Sequence, residues 1–378
     1  MGVWGEMMKA EARSLRNLAA LAAATLLVST AIWRDANAQT AASGAADSGT
    51  IEADGTVDVP AFRLPPSIYL SDQAKAALPR KPIDMEEPMN RALAAGNAGA
   101  MRARIGEFMA PRIKHLVELY PVTMRSADIA GVPAVYVTPV KPMPAGNRSK
   151  ILLNLPGGGF VMGAAPGTGM VESIPLSAMA QVQIVSITYR QAPETMFPAA
   201  SEDVVKVYRE LLKTHHPKDI AIFGCSAGGL LSAEAIAQIE KEQLPLPAAI
   251  GIFCASADAR FGGDSRWFGR PFQALPPSNQ PRNYFRDEDV GNPLASPVLA
   301  PDLLKRFPPT LIISATRAPE MSSAVNTHRE LVKAGVESDL NVWDGLGHAF
   351  FYNIDLPESR EAFQVMADFF TRHLELQH

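Results

Sequence analysis

From Ser149 to the C-terminus, short apolar runs alternate with stretches of helical period, and this alternation restricts the fold more than any other feature. Ile151–Leu155, Val182–Ile187, Ile220–Phe223, Ala248–Cys254, Thr310–Ser314 and Asp339–Trp343 read as buried strands. Between them, Glu202 to His215 places Val204, Tyr208, Leu211 and Leu212 on one helical face. Ala227 to Glu242, Met321 to Ala334 and Glu358 to Leu376 are three further helices. In the last, Phe363, Met366, Phe370 and Leu374 share a face, and Pro357 suits the first turn. The alternation predicts an α/β fold: a mostly parallel sheet covered by helices on both faces. Right-handed crossovers bring the C-terminal ends of the strands to one edge, where such sheets bind ligands.

Several segments with chemical potential fall at that edge. Ile222-Phe223-Gly224-Cys225-Ser226-Ala227-Gly228-Gly229 contains Gly-x-Ser-x-Gly between a strand and a helix. A serine on so tight a turn has its hydroxyl pushed out of the sheet, and the Ala227 N–H is placed to bind a developing oxyanion. The plain alternative is a glycine-rich turn. Leu155-Pro156-Gly157-Gly158-Gly159-Phe160 also follows a strand and offers N–H groups without side-chain obstruction, which suits an oxyanion hole. A phosphate loop is the competing reading, but no Gly-Lys-Ser/Thr follows. His348 lies in a glycine-containing loop between the last strand and the last helix, after the serine in chain order. None of the other six histidines is expected at a strand C-terminal end. An acid to orient His348 belongs after Thr310–Ser314. Glu320 is the first carboxylate there, with a helix N-terminal charge as its plain reading and Asp344 as a competitor. No His-Glu-x-x-His or paired-cysteine spacing points to a metal, and no cofactor is called for.

Together these segments resemble the hormone-sensitive-lipase-like branch of the α/β-hydrolases, the bacterial family IV esterases. The resemblance runs from about Tyr120 to the C-terminus. Gly157-Gly158-Gly159-Phe160 is similar to the family's His-Gly-Gly-Gly-Phe, and Tyr189-Arg190-Gln191-Ala192-Pro193-Glu194 to its Asp-Tyr-Arg-Leu-Ala-Pro-Glu. Gly224 to Gly229 resembles the nucleophile elbow, and Gly347-His348-Ala349-Phe350 the histidine motif. The resemblance implies an α/β-hydrolase fold with a helical cap, Ser226, His348 and Glu320 as the catalytic triad, and Gly157, Gly158 and Ala227 as the oxyanion hole. It implies a serine carboxylesterase acting on small or medium esters. An amide or lactone hydrolase, or a non-hydrolytic binding protein on the same fold, stays open. Three positions depart from the pattern: Pro156 stands for histidine, Cys225 for Asp or Thr, and Ala318 where the acid aligns, which shifts that role to Glu320.

The chain is 378 residues long with a net charge of -4, so it carries no basic field for nucleic acid. Residues 1–38 read as an export signal. Lys9, Arg13 and Arg16 precede an apolar stretch, and Ala36-Asn37-Ala38 fits a cleavage site, which predicts a periplasmic or secreted protein without stable membrane insertion. Residues 39–56 read as a flexible linker. Residues 57–378 form the catalytic domain, with cap elements near 57–111 and 260–303. The two cysteines, Cys225 and Cys254, read as buried free thiols rather than a disulfide framework. The partner expected is a small-molecule ester, and a homodimer stays open.

Overall fold

The computed structural model describes residues 49–59, 62–79, 97–268, 282–285 and 290–377. The residues expected to form an export signal, most of the expected linker and parts of both expected cap segments lie outside these residues. The chain divides into two compact units, Met1–Pro65 and Pro66–His378. The described part of the first holds a small exposed hairpin in which Thr50–Ile51 pairs antiparallel with Val57–Asp58.

In the second unit the strands are β1 (Val122–Ile129), β2 (Val132–Pro139), β3 (Ile151–Leu155), β4 (Gln183–Ile187), β5 (Ile220–Cys225), β6 (Ala249–Phe253), β7 (Thr310–Ala315) and β8 (Ser338–Trp343). The longer helices are α1 (Ala98–Leu119), α2 (Thr168–Ala180), α3 (Ala199–Leu211), α4 (Ala227–Lys241), α5 (Met321–Lys333) and α6 (Pro357–Leu374). Among the described residues the strands make an eight-stranded sheet in the order β8-β7-β6-β5-β3-β4-β2-β1. All pairings from β8 to β4 are parallel, and β2 runs antiparallel to both of its neighbours. The α/β fold expected from the alternation is therefore present, and each expected strand and helix falls within a few residues of its observed place.

The pleat explains the layering. Ile151, Leu153 and Leu155 of β3 point to one face, where they join Val204 and Tyr208 of α3, Leu230 and Ile236 of α4, and Leu331 of α5. Leu152 points to the other, with Met170 and Ile174 of α2 and Phe363, Met366 and Phe370 of α6. The two-sided cover is why these strands read as apolar runs without alternation.

Two regions escape the period-based reading. The β1–β2 hairpin turns at Ala130 and Gly131, both at positive φ. β1 is an edge strand with Thr123, Met124, Arg125 and Ser126 exposed, so it shows no buried period. Helix α2 carries Pro175 and is buried around nearly its whole circumference, so it has no polar face to mark its period.

Two residues from the segments expected to cap the site contact the loops at the sheet edge. Arg102 on α1 donates to Val161 O at 2.7 Å and to Ala192 O at 2.9 Å, and forms a two-pronged pair with Glu194. From the second segment, Tyr284 stacks on Phe160 with ring centroids 4.4 Å apart. Among the described residues no helix is long and apolar enough to cross a membrane.

Inside α4, Glu234 is fully buried, and neither carboxylate oxygen has a hydrogen-bond partner among the described residues. Burial holds its carboxyl well above the usual range, so between the unfolded and the folded values it is protonated in the fold and ionised in the unfolded chain. The folded state then binds the extra proton, and stability falls as pH rises above the unfolded carboxyl value. Glu234→Met is expected to raise Tm. Its advantage over the parent should widen from pH 5 to pH 8 by up to about 1.4 kcal/mol per pH unit. Thermal unfolding followed across that range checks this; a gap that does not change with pH would show the carboxyl to be already ionised.

Candidate active site

Ser226 sits between β5 and α4 at φ +58 and ψ -123, a conformation that a residue with a side chain rarely adopts. The turn packs directly against the end of β3, where a Cβ on Gly224 would fall 2.2 Å from the Leu155 carbonyl oxygen. A Cβ on Gly228 would fall 1.7 Å from the Leu155 carbonyl oxygen. The Ser226 N–H donates to Phe253 O at 2.8 Å, and Ser226 O accepts from Gly229 and Leu230, so the strained residue is held from both sides.

The structure brings the three expected side chains together. The Ser226 hydroxyl lies 2.9 Å from His348 Nε2, and His348 Nδ1 lies 3.0 Å from Glu320 Oε2. Glu320 is buried at the N-terminus of α5, and its other oxygen is 3.5 Å from the Ser314 hydroxyl. Ala318, where the resemblance aligns the acid, is fully buried. Asp344, the competing acid, accepts instead from the Ser67 and Thr316 hydroxyls; these bonds, that to Ser67 foremost, hold its carboxyl below the usual range. Burial works against the charged form of His348, but the charge of Glu320 and its hydrogen bond outweigh this and push the ring up to about 9. Four of the other described histidines are engaged elsewhere: His115 with Asp355, His215 with Thr214 and the Leu211 carbonyl, His328 with Ser338, and His373 with Glu337.

The glycine loop differs from expectation at one position. The Gly157 N–H donates to the buried carboxylate of Glu172 at 2.9 Å, so it is turned away from Ser226 and cannot serve an oxyanion. Among the described residues, the N–H groups of Gly158, Gly159 and Ala227 have no acceptor. The free donors are therefore Gly158, Gly159 and Ala227 rather than Gly157, Gly158 and Ala227. Gly158 has φ +148, and a Cβ there would fall 2.2 Å from Gly163 N.

The Tyr189–Glu194 segment holds this loop. The Tyr189 hydroxyl donates to Pro156 O at 2.6 Å, and the Gln191 amide pairs with both the N–H and the carbonyl of Gly163. On the other side, Thr168 Oγ1 donates to Gly157 O at 2.7 Å. Sequence reasoning missed Glu172, Gln191 and Tyr352 as parts of the site. The one available signal was Glu172, a carboxylate inside the otherwise apolar run Met170-Val171-Glu172-Ser173-Ile174.

Cys225 and Cys254 are free and buried; burial and the neighbouring Cys254 push the Cys225 thiol well up, which keeps it in its unreactive form. Cys254 Sγ accepts from the Ala349 N–H at 3.2 Å, beside the histidine. Cys254, Glu320 and His348 place ligand atoms within 4.8 Å of one another, but a cation there would have to break the Glu320–His348 hydrogen bond.

Comparisons with known proteins agree with this geometry. The family described as alpha/beta hydrolase fold matches residues 152–352. An acetyl-hydrolase of Streptomyces hygroscopicus is 31% identical over 60% of this chain and 77% of its own length. An esterase of Acinetobacter venetianus is 24% identical over 69% of this chain and 87% of its own. Among solved structures, one esterase superposes with a TM-score of 0.72 at 28% identity, covering 85% of this chain and 99% of that one. An esterase of the bacterial hormone-sensitive lipase family superposes with a TM-score of 0.64 at 26% identity, covering 80% and 95%. With its elbow serine, glycine loop and late histidine on a sheet of this order, the chain belongs to the α/β-hydrolase fold family, in the hormone-sensitive-lipase-like esterase branch.

Proposed function

We propose that this esterase is exported to the periplasm or beyond and hydrolyses small or medium carboxylic esters through an acyl-enzyme on Ser226. The observation that carries the reading is the unbroken relay from buried Glu320 through His348 to Ser226, with contacts of 3.0 and 2.9 Å. His348 takes the Ser226 proton as the oxygen attacks the ester carbonyl, and Glu320 orients the ring and stabilises its positive form. Gly158, Gly159 and Ala227 supply N–H donors to the tetrahedral oxyanion, assisted by the N-terminal dipole of α4. His348 then protonates the leaving alcohol, and in the second half it activates water to release the acid. The relatives named esterase and acetyl-hydrolase support an ester as substrate. The basic, then apolar, then small-residue pattern of residues 1–38 supports export, and N-terminal sequencing of periplasmic protein should begin close after Ala38.

Turnover of p-nitrophenyl acetate tests the chemistry. Ser226→Ala is expected to lower kcat on the order of 10⁶-fold and to abolish labelling by a fluorophosphonate. A parent protein that neither turns over esters nor takes the label would instead be a binding protein on this fold.

The pH profile tests the acid. The attacking base must be neutral, and Glu320 holds His348 up to about 9, so kcat/KM of the parent should climb with pH and level off near that value. Glu320→Gln removes the charge that raises the ring. The limb should move down towards the unperturbed value of about 6.5, while kcat falls on the order of 10⁴-fold. An unchanged rate and limb would remove Glu320 from the mechanism and leave the nucleophile standing.

A further inference from the structure

Beneath the glycine loop lies a carboxylate that the hydrolytic cycle does not use. Glu172, on α2, is 2% exposed. One oxygen accepts both the Gly157 N–H at 2.9 Å and the Tyr352 hydroxyl at 2.5 Å. The other accepts the Asn154 side-chain amide at 2.7 Å, and Asn154 in turn accepts from Ser186 at 2.6 Å. The Cys225 backbone adds a further favourable contact. Glu172 thus touches the end of β3, the glycine loop, the residue before the nucleophile and the turn that follows His348.

Charge in such a place is costly unless donors surround it. Burial raises the Glu172 carboxyl to about 7, against the opposing pull of Tyr352, Gly157, Asn154 and Cys225. No cation pairs with it among these partners, so its role is to accept hydrogen bonds rather than to form a salt bridge. The loop needs such an acceptor. Pro156 has no N–H, so Gly157 carries the first donor by which the protein can grip the loop. A Cβ on Gly157 would meet Cys225 O at 2.7 Å and Tyr352 Oη at 3.0 Å, so the loop passes closely between the elbow and the histidine turn.

We propose that Glu172 is a positioning residue: by binding Gly157 N–H and Tyr352 on one oxygen, it turns the glycine loop so that the next N–H groups face the oxyanion, and it locks that loop to the histidine-bearing turn. The inference rests on the reading of Ser226 as nucleophile. The distinction that matters is between orienting the oxyanion donors and merely filling the core.

Glu172→Leu removes the acceptor. It is expected to lower kcat by about 10²–10³-fold, as loss of an oxyanion donor does, while KM changes by no more than about threefold. Glu172→Gln keeps an acceptor for Gly157 once the Asn154 amide turns over, so it should recover kcat to within about tenfold of the parent. Affinity for a trifluoromethyl ketone, which forms a tetrahedral adduct with the serine, should fall in step with kcat across the series. A purely structural role would lower Tm and leave this affinity unchanged. Tyr352→Phe, which keeps the Gly157 contact, should lose about tenfold in kcat and in adduct affinity. A folded Glu172→Leu with kcat and ketone affinity within about twofold of the parent overturns the proposal. If that variant does not fold, an unchanged Tyr352→Phe overturns it. Ser226→Ala assayed alongside separates the two ideas: turnover surviving in it would sink the nucleophile, whatever Glu172 does.

Discussion

The site depends on how closely two parallel strands end. Leu155 of β3 lies opposite Gly224 of β5, and the Leu155 carbonyl occupies the space where a side chain on Gly228 would stand. That near-contact brings the loop after β3 directly alongside Ser226, which leaves the sheet at positive φ. A side chain at Gly224 or Gly228 would clash with the Leu155 carbonyl and push the elbow away from the glycine loop. The large two-faced core offsets the backbone strain, because strained residues persist only where the surroundings over-determine them. Ser226 is held by a bond to Phe253 on the neighbouring strand and by the first turn of α4.

Around this point the protein uses buried polar groups in two ways. Glu320 is buried with a titratable partner, and the pair shifts the histidine upward. Glu172 is buried with backbone and neutral side-chain donors and shifts nothing in the relay directly. The first arrangement tunes a proton; the second fixes a shape. Glu172 lies within α2 and Glu320 in the turn immediately before α5, so helices packed on the sheet fix where both carboxylates stand. The glycine loop, which has little side chain of its own to pack, is held by its neighbours: Tyr189, Gln191, Thr168 and Glu172 each bind its backbone, and Arg102 and Tyr284 brace its far end. The Tyr189–Glu194 segment therefore shapes the glycine loop through its contacts.

The substitutions that set this chain apart fit the same picture. Proline at position 156 keeps its carbonyl, which accepts from Tyr189, and leaves the grip on the loop to Gly157. Cys225 is packed in the apolar layer between the sheet and α6, where its thiol stays protonated. At position 320 rather than 318, Glu320 reaches His348 from a buried turn ahead of α5, at 3.0 Å.

The order of strands and helices, the elbow serine, the late histidine and the acid were all legible in the sequence, because each follows from local pattern: apolar runs, helical period and glycines at a strand end. The edge hairpin β1–β2 and helix α2 were not, since one lacks a buried face and the other lacks a polar one. The direction of a peptide N–H was equally out of reach. Gly157, Gly158 and Gly159 are the same letter, and only the packing of Glu172 from a distant helix determines that the first faces inward and the other two remain free. The sequence by itself determined the fold class and which side chains meet at the end of β5, because those depend on residue type and order. The tertiary structure alone decided which backbone N–H groups of the glycine loop are taken and which stay free, because a hydrogen bond between elements far apart in the chain leaves no local trace.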